Sequence, residues 1–414
     1  MSIIIKQFFN VKNWLKIPLF QSFYRFSTIP RCIIIRQKLI IYILSFGGIK
    51  MKIVCDSAKL AKACMNVQRT VSNKSTIPAI EGILLKASGD NINLTGYDLE
   101  VGTDTYIPAE VEENGEIILN AKHLCDILRM VPDDTVSIDS DDRCICKIKS
   151  GETEYSIIGI AADEYPDVPT VTSGFPIVIK QGILKDMIKK TIFSVSTSER
   201  NPVHSGVKFE ISNGKIVLVA VDGARLAIRR ENIEYDGEEV SFVVPAKTLG
   251  EVMKLGEDDD GVYSISVGKR HICFEIGEYR IISRLLEGNF IDYKAAIPMT
   301  CSTTVVAPTR RVVECVERTS LIITDRSSPV RCTIENGVMK FSCVTTIGTA
   351  NDKMPAEIDG KDIEIGFNNK FVLDALKACD TDIVKMEFNS SNQPIIIIPT
   401  EGDNFLFLIL PVRI

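Results

Sequence analysis

AKHLCDILRMV (Ala121 to Val131), AKTLGEVMKLG (Ala246 to Gly256) and NKFVLDALKAC (Asn369 to Cys379) align without a gap. Their lysines, Lys122, Lys247 and Lys370, stand 125 and 123 residues apart. Other landmarks keep the period: Gly82 and Gly206, Asp98 and Asp222, and Tyr155 and Tyr279 are each 124 residues apart. SGVKFEISNG from Ser205 matches SPVRCTIENG from Ser328 at an offset of 123, with Pro329 where the other copies have Gly. A period of this length predicts three similar domains, with boundaries expected at 51–174, 175–300 and 301–414.

Each copy reads as helix, strands, helix, strands, an α+β arrangement with antiparallel sheets. The stretch from Asp56 to Val71 is helical in pattern, with Asp56 placed to cap it. Asn213-Gly214 and Asn336-Gly337 lie between runs rich in Val, Ile and Phe, a strong hairpin signal. In the second copy IVLVAV precedes the repeat helix and YSISV, HICFEI and YRIIS follow it. The two halves of each domain resemble one another in outline, so the chain is expected to hold six related units.

In the quoted helices apolar residues fall two, five and six places after the lysine: Leu124, Ile127, Leu128; Leu249, Val252, Met253; Val372, Ala375, Leu376. At roughly 100° per residue they form one core-facing stripe. A second base follows seven places after each lysine, pairing Lys122 with Arg129, Lys247 with Lys254 and Lys370 with Lys377 on the opposite side. The first helices add Lys59, Lys62 and Arg69, then Lys185, Lys189 and Lys190, then Arg310, Arg311 and Arg318.

This placement matters because the chain is acidic overall, with 48 Lys+Arg against 54 Asp+Glu. Residues 1–50 hold eight bases and no acid, which leaves residues 51–414 at a net charge of −14. Such a balance excludes a uniformly basic nucleic-acid binder and leaves room for one basic face per domain, able to follow a phosphate backbone without reading sequence. No aromatic residues interleave with these bases, which argues against stacking on single strands.

Residues 1–50 are a separate object, rich in Ile and Phe and carrying Trp14, the one Trp of the chain. The apolar run Leu39 to Phe46 is too short to span a bilayer, and no A-x-A cleavage pattern follows it. Met51 is therefore expected to be the true start, with the preceding segment either untranslated or dispensable. Twelve cysteines without any C-x-x-C, and three scattered histidines (His123, His204, His271), exclude a recognisable zinc or redox motif. Those thiols read as reduced, buried and cytoplasmic.

TIPAIEGILL from Thr76, LTGYDLEVG from Leu94, AVDGARLAI from Ala220, NFIDYKAAIP from Asn289, EIGFNNKFVLDAL from Glu364 and the C-terminal LPVRI together resemble the bacterial DNA polymerase III beta subunit family, the sliding clamps, over residues 51–414. The resemblance implies a DNA clamp fold, closed as a head-to-tail homodimer into a six-domain ring around duplex DNA. It implies a processivity factor, not an enzyme, with no cofactor and no metal, that tethers the replicative polymerase, the clamp loader and repair proteins through short linear motifs. On that reading DNA is met by Lys59, Lys62, Arg69, Lys74, Lys122, Arg129, Lys185, Lys189, Lys247, Lys254, Arg311, Lys370 and Lys377, of which Lys74 resembles a loop base of the family.

The resemblance also implies an apolar peptide cleft between the second and third domains. Its lining corresponds to His204, Val221, Gly223, Ala224, Arg225, Leu226, Ile291, Ala295, Ala296, Leu410, Pro411, Val412, Arg413 and Ile414. His204 stands where Leu is usual, Ile291 where Pro is usual and Val412 where Met is common. For the dimer contact, Tyr155 resembles a junction aromatic, and Leu321 and Ile322 its apolar counterparts. Glu152 and Glu154 flank Tyr155, and Arg318 and Arg326 are expected to answer them across the interface.

The competing reading is a catalytic subunit or nuclease of the replication machinery. No catalytic constellation supports it: Asp139, Asp141 and Asp142 read as a hairpin tip, and the acidic stretch from Glu257 to Asp260 as a solvated, Gly-flanked loop. No GxxxxGK[ST] loop is present, so the chain does not load itself with ATP.

Overall fold

The computed structural model describes residues 50–171, 176–198, 200–257, 259–324 and 328–414. The first repeat comprises β1 (Met51–Asp56), α1 (Ser57–Val67), β2 (Gly82–Ser88), β3 (Asn91–Tyr97), β4 (Val101–Pro108), β5 (Glu110–Glu113), β6 (Gly115–Asn120), α2 (Ala121–Leu128), β7 (Thr135–Ser140), β8 (Ile145–Ser150) and β9 (Thr153–Ile158). The second comprises β10 (Ile177–Lys180), α3 (Gln181–Lys189), β11 (Gly206–Ser212), β12 (Lys215–Val221), β13 (Arg225–Asn232), β14 (Val240–Pro245), α4 (Ala246–Leu255), β15 (Val262–Val267), β16 (His271–Ile276) and β17 (Tyr279–Arg284). A linker carrying the short α5 (Tyr293–Ala296) follows. The third repeat runs through β18 (Thr303–Pro308), α6 (Thr309–Ser320), β19 (Val330–Glu335), β20 (Val338–Thr345), β21 (Gly348–Pro355), β22 (Glu357–Gly360), β23 (Ile363–Phe367), α7 (Asn369–Ala378), β24 (Ile383–Phe388), β25 (Ile395–Pro399) and β26 (Phe405–Ile409).

Local signals act where the sequence puts them. Asp56 accepts the Lys59 N–H at 2.8 Å and starts α1, while Asn120 and Asn368 cap α2 and α7. The α-helical part of the first stretch ends at Val67, and a 3-10 turn carries the chain to Thr70. Asn213 and Gly214 take φ of 50° and 69°, and Asn336 and Gly337 take 51° and 73°, the left-handed pair that a two-residue hairpin needs. The Gly82 and Gly206 landmarks have a packing cause: an added Cβ would lie 2.3 Å from the Ile118 side chain in one and 2.4 Å from the Val244 carbonyl in the other.

The two main helices of each repeat pack on its sheets, and a separate apolar core fills each repeat. All strand pairs of the four sheets are antiparallel, and two of the sheets run across repeat boundaries. One has the order β10-β15-β16-β17-β4-β3-β2-β6, the other β14-β11-β12-β13-β26-β25-β24-β18-β22. Repeats are thus welded by strand pairing, β17 on β4 and β26 on β13. The two smaller sheets, β5-β1-β7-β8-β9 and β21-β20-β19-β23, leave β9 and β21 as edges.

Two expectations are corrected. The acidic loop is not merely solvated, since Glu257 reaches Lys62 of the first repeat at 2.8 Å and Asp259 reaches Lys185 at 2.6 Å. The thiols are not uniformly buried: Cys301 is exposed and Cys144 and Cys379 are half-buried. Most are enclosed, and burial pushes Cys55 and Cys146 up to about 12. Among the described residues no helix is long and apolar enough to cross a membrane.

Candidate nucleic-acid and peptide interfaces

At the junction of the second and third repeats the chain builds an apolar hollow of about 150 Å³. Strand β12 ends at Val221, and the turn to β13 is closed by Asp222, whose carboxylate accepts the N–H groups of Ala224 (3.0 Å) and Arg225 (3.1 Å). Gly223 sits there at φ 88°, a conformation that favours glycine. Arg225 and Leu226 then pair with Ile409 and Leu408, and the Leu410 N–H reaches the Ala224 carbonyl at 2.8 Å. Linker helix α5 closes the remaining side.

Of the sequence-predicted lining, Val221, Gly223, Arg225, Leu226, Ile291, Ala296 and Leu410 meet in this hollow, joined by Tyr293 and Leu408. Arg225 contributes its stem, because its head is committed elsewhere. Nε binds Asp222 at 2.8 Å, Nη1 binds Asp374 of α7 at 2.6 Å, Nη2 donates to the Phe193 carbonyl, and the guanidinium lies 4.4 Å from the Phe371 ring centre. Ala224 faces a larger polar depression beside it, with Ser196, Lys370 and Phe371. His204 lines neither; its ring meets Phe290 edge-on at 5.3 Å, and its buried Nε2 has no partner among the described residues. Ala295 and Arg413 are exposed, Pro411 is half-buried, and Val412 donates to the Gly366 carbonyl, carrying Ile414 along β23 and away from the hollow.

The equivalent place at the first junction carries a tyrosine. Tyr97 stands where the second repeat has Val221, and packs with Ala79, Ile118, Tyr165 and Val168 while its hydroxyl donates to the Leu99 carbonyl at 3.1 Å. The position that lines the hollow as a valine at the second junction is thus a buried tyrosine at the first.

The predicted bases are mostly exposed on their helices, and ion pairs divide them into two groups. Lys62, Arg129, Lys185, Lys247, Lys254, Arg311 and Lys377 are bound to Glu257, Asp126, Asp259, Asp98, Glu251, Glu314 and Glu317. Lys59, Arg69, Lys74, Lys122, Lys189 and Lys370 are exposed and in no ion pair among the described residues. Lys190 is an interdomain tie instead, 2.9 Å from Asp380 and 2.7 Å from Asp186.

On the open edges, Tyr155 is half-buried against the first core, with Glu152 and Glu154 exposed beside it. Leu321 is 81% exposed and Ile322 half-buried. Ile158, Val344 and Ile347 are also exposed near these edges; the strand pattern alone did not single them out. Arg318 is already engaged, its Nε 2.7 Å from Asp352 of β21. Burial works against that carboxylate's charge, yet Arg318 holds it below the usual range. Arg326 lies outside the described residues. Among the described residues no cluster of three or more His, Cys, Asp or Glu side chains is placed to hold a metal.

The chain matches the models of the DNA polymerase III beta subunit: its N-terminal domain over residues 51–169, central domain over 178–292 and C-terminal domain over 294–413. It is 32% identical over 378 residues to the beta sliding clamp of Halalkalibacterium halodurans, covering 88% of this chain and 100% of that one. It is 29% identical to the beta sliding clamp of Bacillus subtilis over 376 residues, with the same coverage. Among solved structures, a putative DNA polymerase III beta subunit from Eubacterium rectale superposes with a TM-score of 0.86 at 33% identity, and a sliding clamp from Pseudomonas aeruginosa bound to griselimycin with 0.83 at 26%. Each covers 88% of this chain and 100% of the other.

Proposed function

The chain belongs to the DNA polymerase III beta subunit family and is a sliding clamp, and on that premise we propose that two copies close head to tail into a ring around duplex DNA. One observation carries the proposal. Both intrachain junctions use the same pair of strands, the last of one repeat (β17, β26) on the strand that follows the central hairpin of another (β4, β13). The members of that set left without a partner are β9 at one end of the chain and β21 at the other. Joining them twice closes the assembly.

The observed registers, Tyr279 opposite Thr105 and Phe405 opposite Arg229, transfer through the repeat. They set Thr153, which follows its hairpin turn as Tyr279 does, opposite the partner's Asp352 and Glu152 opposite the partner's Lys353. Lys353 is exposed and in no ion pair among the described residues, so it, and not Arg318, answers Glu152.

Inside the ring, the unpaired bases Lys59, Arg69, Lys74, Lys122, Lys189 and Lys370 contact phosphates without reading bases. The hollow at Leu226 and Leu408 receives short apolar motifs of the replicative polymerase, the clamp loader and repair proteins in the cytoplasm. The chain itself performs no chemistry. Loaded onto nicked circular duplex, the protein is expected to stay through a high-salt wash and to run off once the circle is linearised, because topology and not contact energy holds it. Equal retention on both would overturn the ring.

A further inference from the structure

Helix α5 supplies the wall of the hollow that carries Ile291, Tyr293 and Ala296, yet it has only four residues and belongs to no sheet. A helix that short does not hold itself. Its own backbone ties are sparse, Tyr293 N–H to the Ile291 carbonyl at 2.9 Å and Ile297 N–H to the Lys294 carbonyl at 3.4 Å. The Tyr293 ring is 5% exposed and packs in the junction cluster with Val221, Leu226 and Leu408. Its hydroxyl donates to Glu210 Oε2 at 2.7 Å.

Glu210 stands on β11, locked between β12 and β14. Its other oxygen binds Lys208 Nζ at 2.7 Å. That ammonium lies 5.5 Å from the Phe290 ring centre and 5.7 Å from that of Tyr293, so it holds the two rings that bracket Ile291. Lys294 approaches the same carboxylate at 3.7 Å. A largely buried carboxylate is costly unless paired, and burial pushes its pKa up; the bonds from Lys208 and Tyr293 reverse this and keep it charged. A rigid strand is thereby tied to a linker whose other anchors are apolar packing contacts of Phe290, Tyr293 and Ile297.

We infer that Glu210 is a positioning residue for the hollow: by holding the Tyr293 phenol and Lys208 it sets α5 so that Ile291 and Ala296 face Leu408 and Leu410 before a peptide arrives. The inference rests on the hollow being the peptide site proposed above. A preformed wall spares the ligand the cost of ordering the linker.

The test is fluorescence anisotropy of the full chain with a fluorescein-labelled short Gln- and Leu-containing peptide. Glu210→Ala and Tyr293→Phe are each expected to weaken binding about tenfold, and the double variant no further than either alone. Glu210→Gln still accepts from the phenol and is expected to lose less than about threefold. Dimer mass should stay unchanged in all four. Affinities at the starting value, or Gln losing as much as Ala, would overturn the inference. Should Glu210→Ala fold poorly, Tyr293→Phe keeps the ring and removes only the oxygen, and decides the matter. Deletion of 410–414 runs alongside: if it leaves affinity intact the hollow is not the site and both readings fall, whereas lost binding there with unaffected Glu210 and Tyr293 variants sinks the positioning role alone.

Discussion

A lysine on a helix surface is only as available as its neighbours allow. Lys122 and Lys254 belong to the same repeated pattern, yet Lys254 is held by Glu251 at 2.8 Å while Lys122 stands free among the described residues. Exposed pairs of this kind add little stability, but they remove a charge from the set that releases counterions on binding. Lys122→Ala is therefore expected to lower the slope of log affinity against log salt by about 0.9, the value of one phosphate contact. Lys254→Ala should leave the slope unchanged. Titration of a short duplex at several salt concentrations separates the two, and equal effects would mean that phosphates displace Glu251.

Strand β13 and the turn that follows helix α7 hold the second and third repeats together by more than pairing. Arg229 is 4% exposed and reaches Asp380 at 2.9 Å, Glu231 at 3.0 Å and Asp186 at 3.5 Å, with Lys190 adding a second cation to Asp380. Burial would raise the Asp380 pKa, and the bonds from Lys190 and Arg229 outweigh it and hold it below the usual carboxylate range. A depressed carboxylate contributes stability that is present above the unfolded value and is lost as pH falls through the folded one. The melting temperature is expected to drop between about pH 5 and about pH 3, and Asp380→Asn, already without that charge, to start lower and fall less over the same interval. Parallel curves for the two proteins would remove Asp380 from the acid response.

For the whole ring the register at the open edges decides closure. Glu152→Lys places like charges opposite each other at both subunit junctions and is expected to weaken the dimer by about tenfold or more. Lys353→Glu does the same, and the two together restore the attraction with its sign reversed. Sedimentation equilibrium on the three variants checks this. A double variant as weak as either single would show that the register carried over from the internal junctions does not apply between subunits.

The sequence by itself determined the repeat, its hairpins, its helix caps and the side of each helix that meets solvent. All of these follow from local periodicity and turn chemistry, as Asn213-Gly214 and Asp56 illustrate. The family resemblance, carried by motifs that sit at the ends of paired strands, also placed seven residues of the hollow. Only the tertiary structure decided which bases remain free, because Glu257 meets Lys62 across 195 residues and Asp98 meets Lys247 across 149. It alone turned His204 onto Phe290, brought Tyr293 and Leu408 into the hollow and buried Tyr97 at the other junction. Those outcomes depend on how continuous sheets bring one repeat's strand ends against another's loops, and a pattern read along a single strand contains no term for that approach.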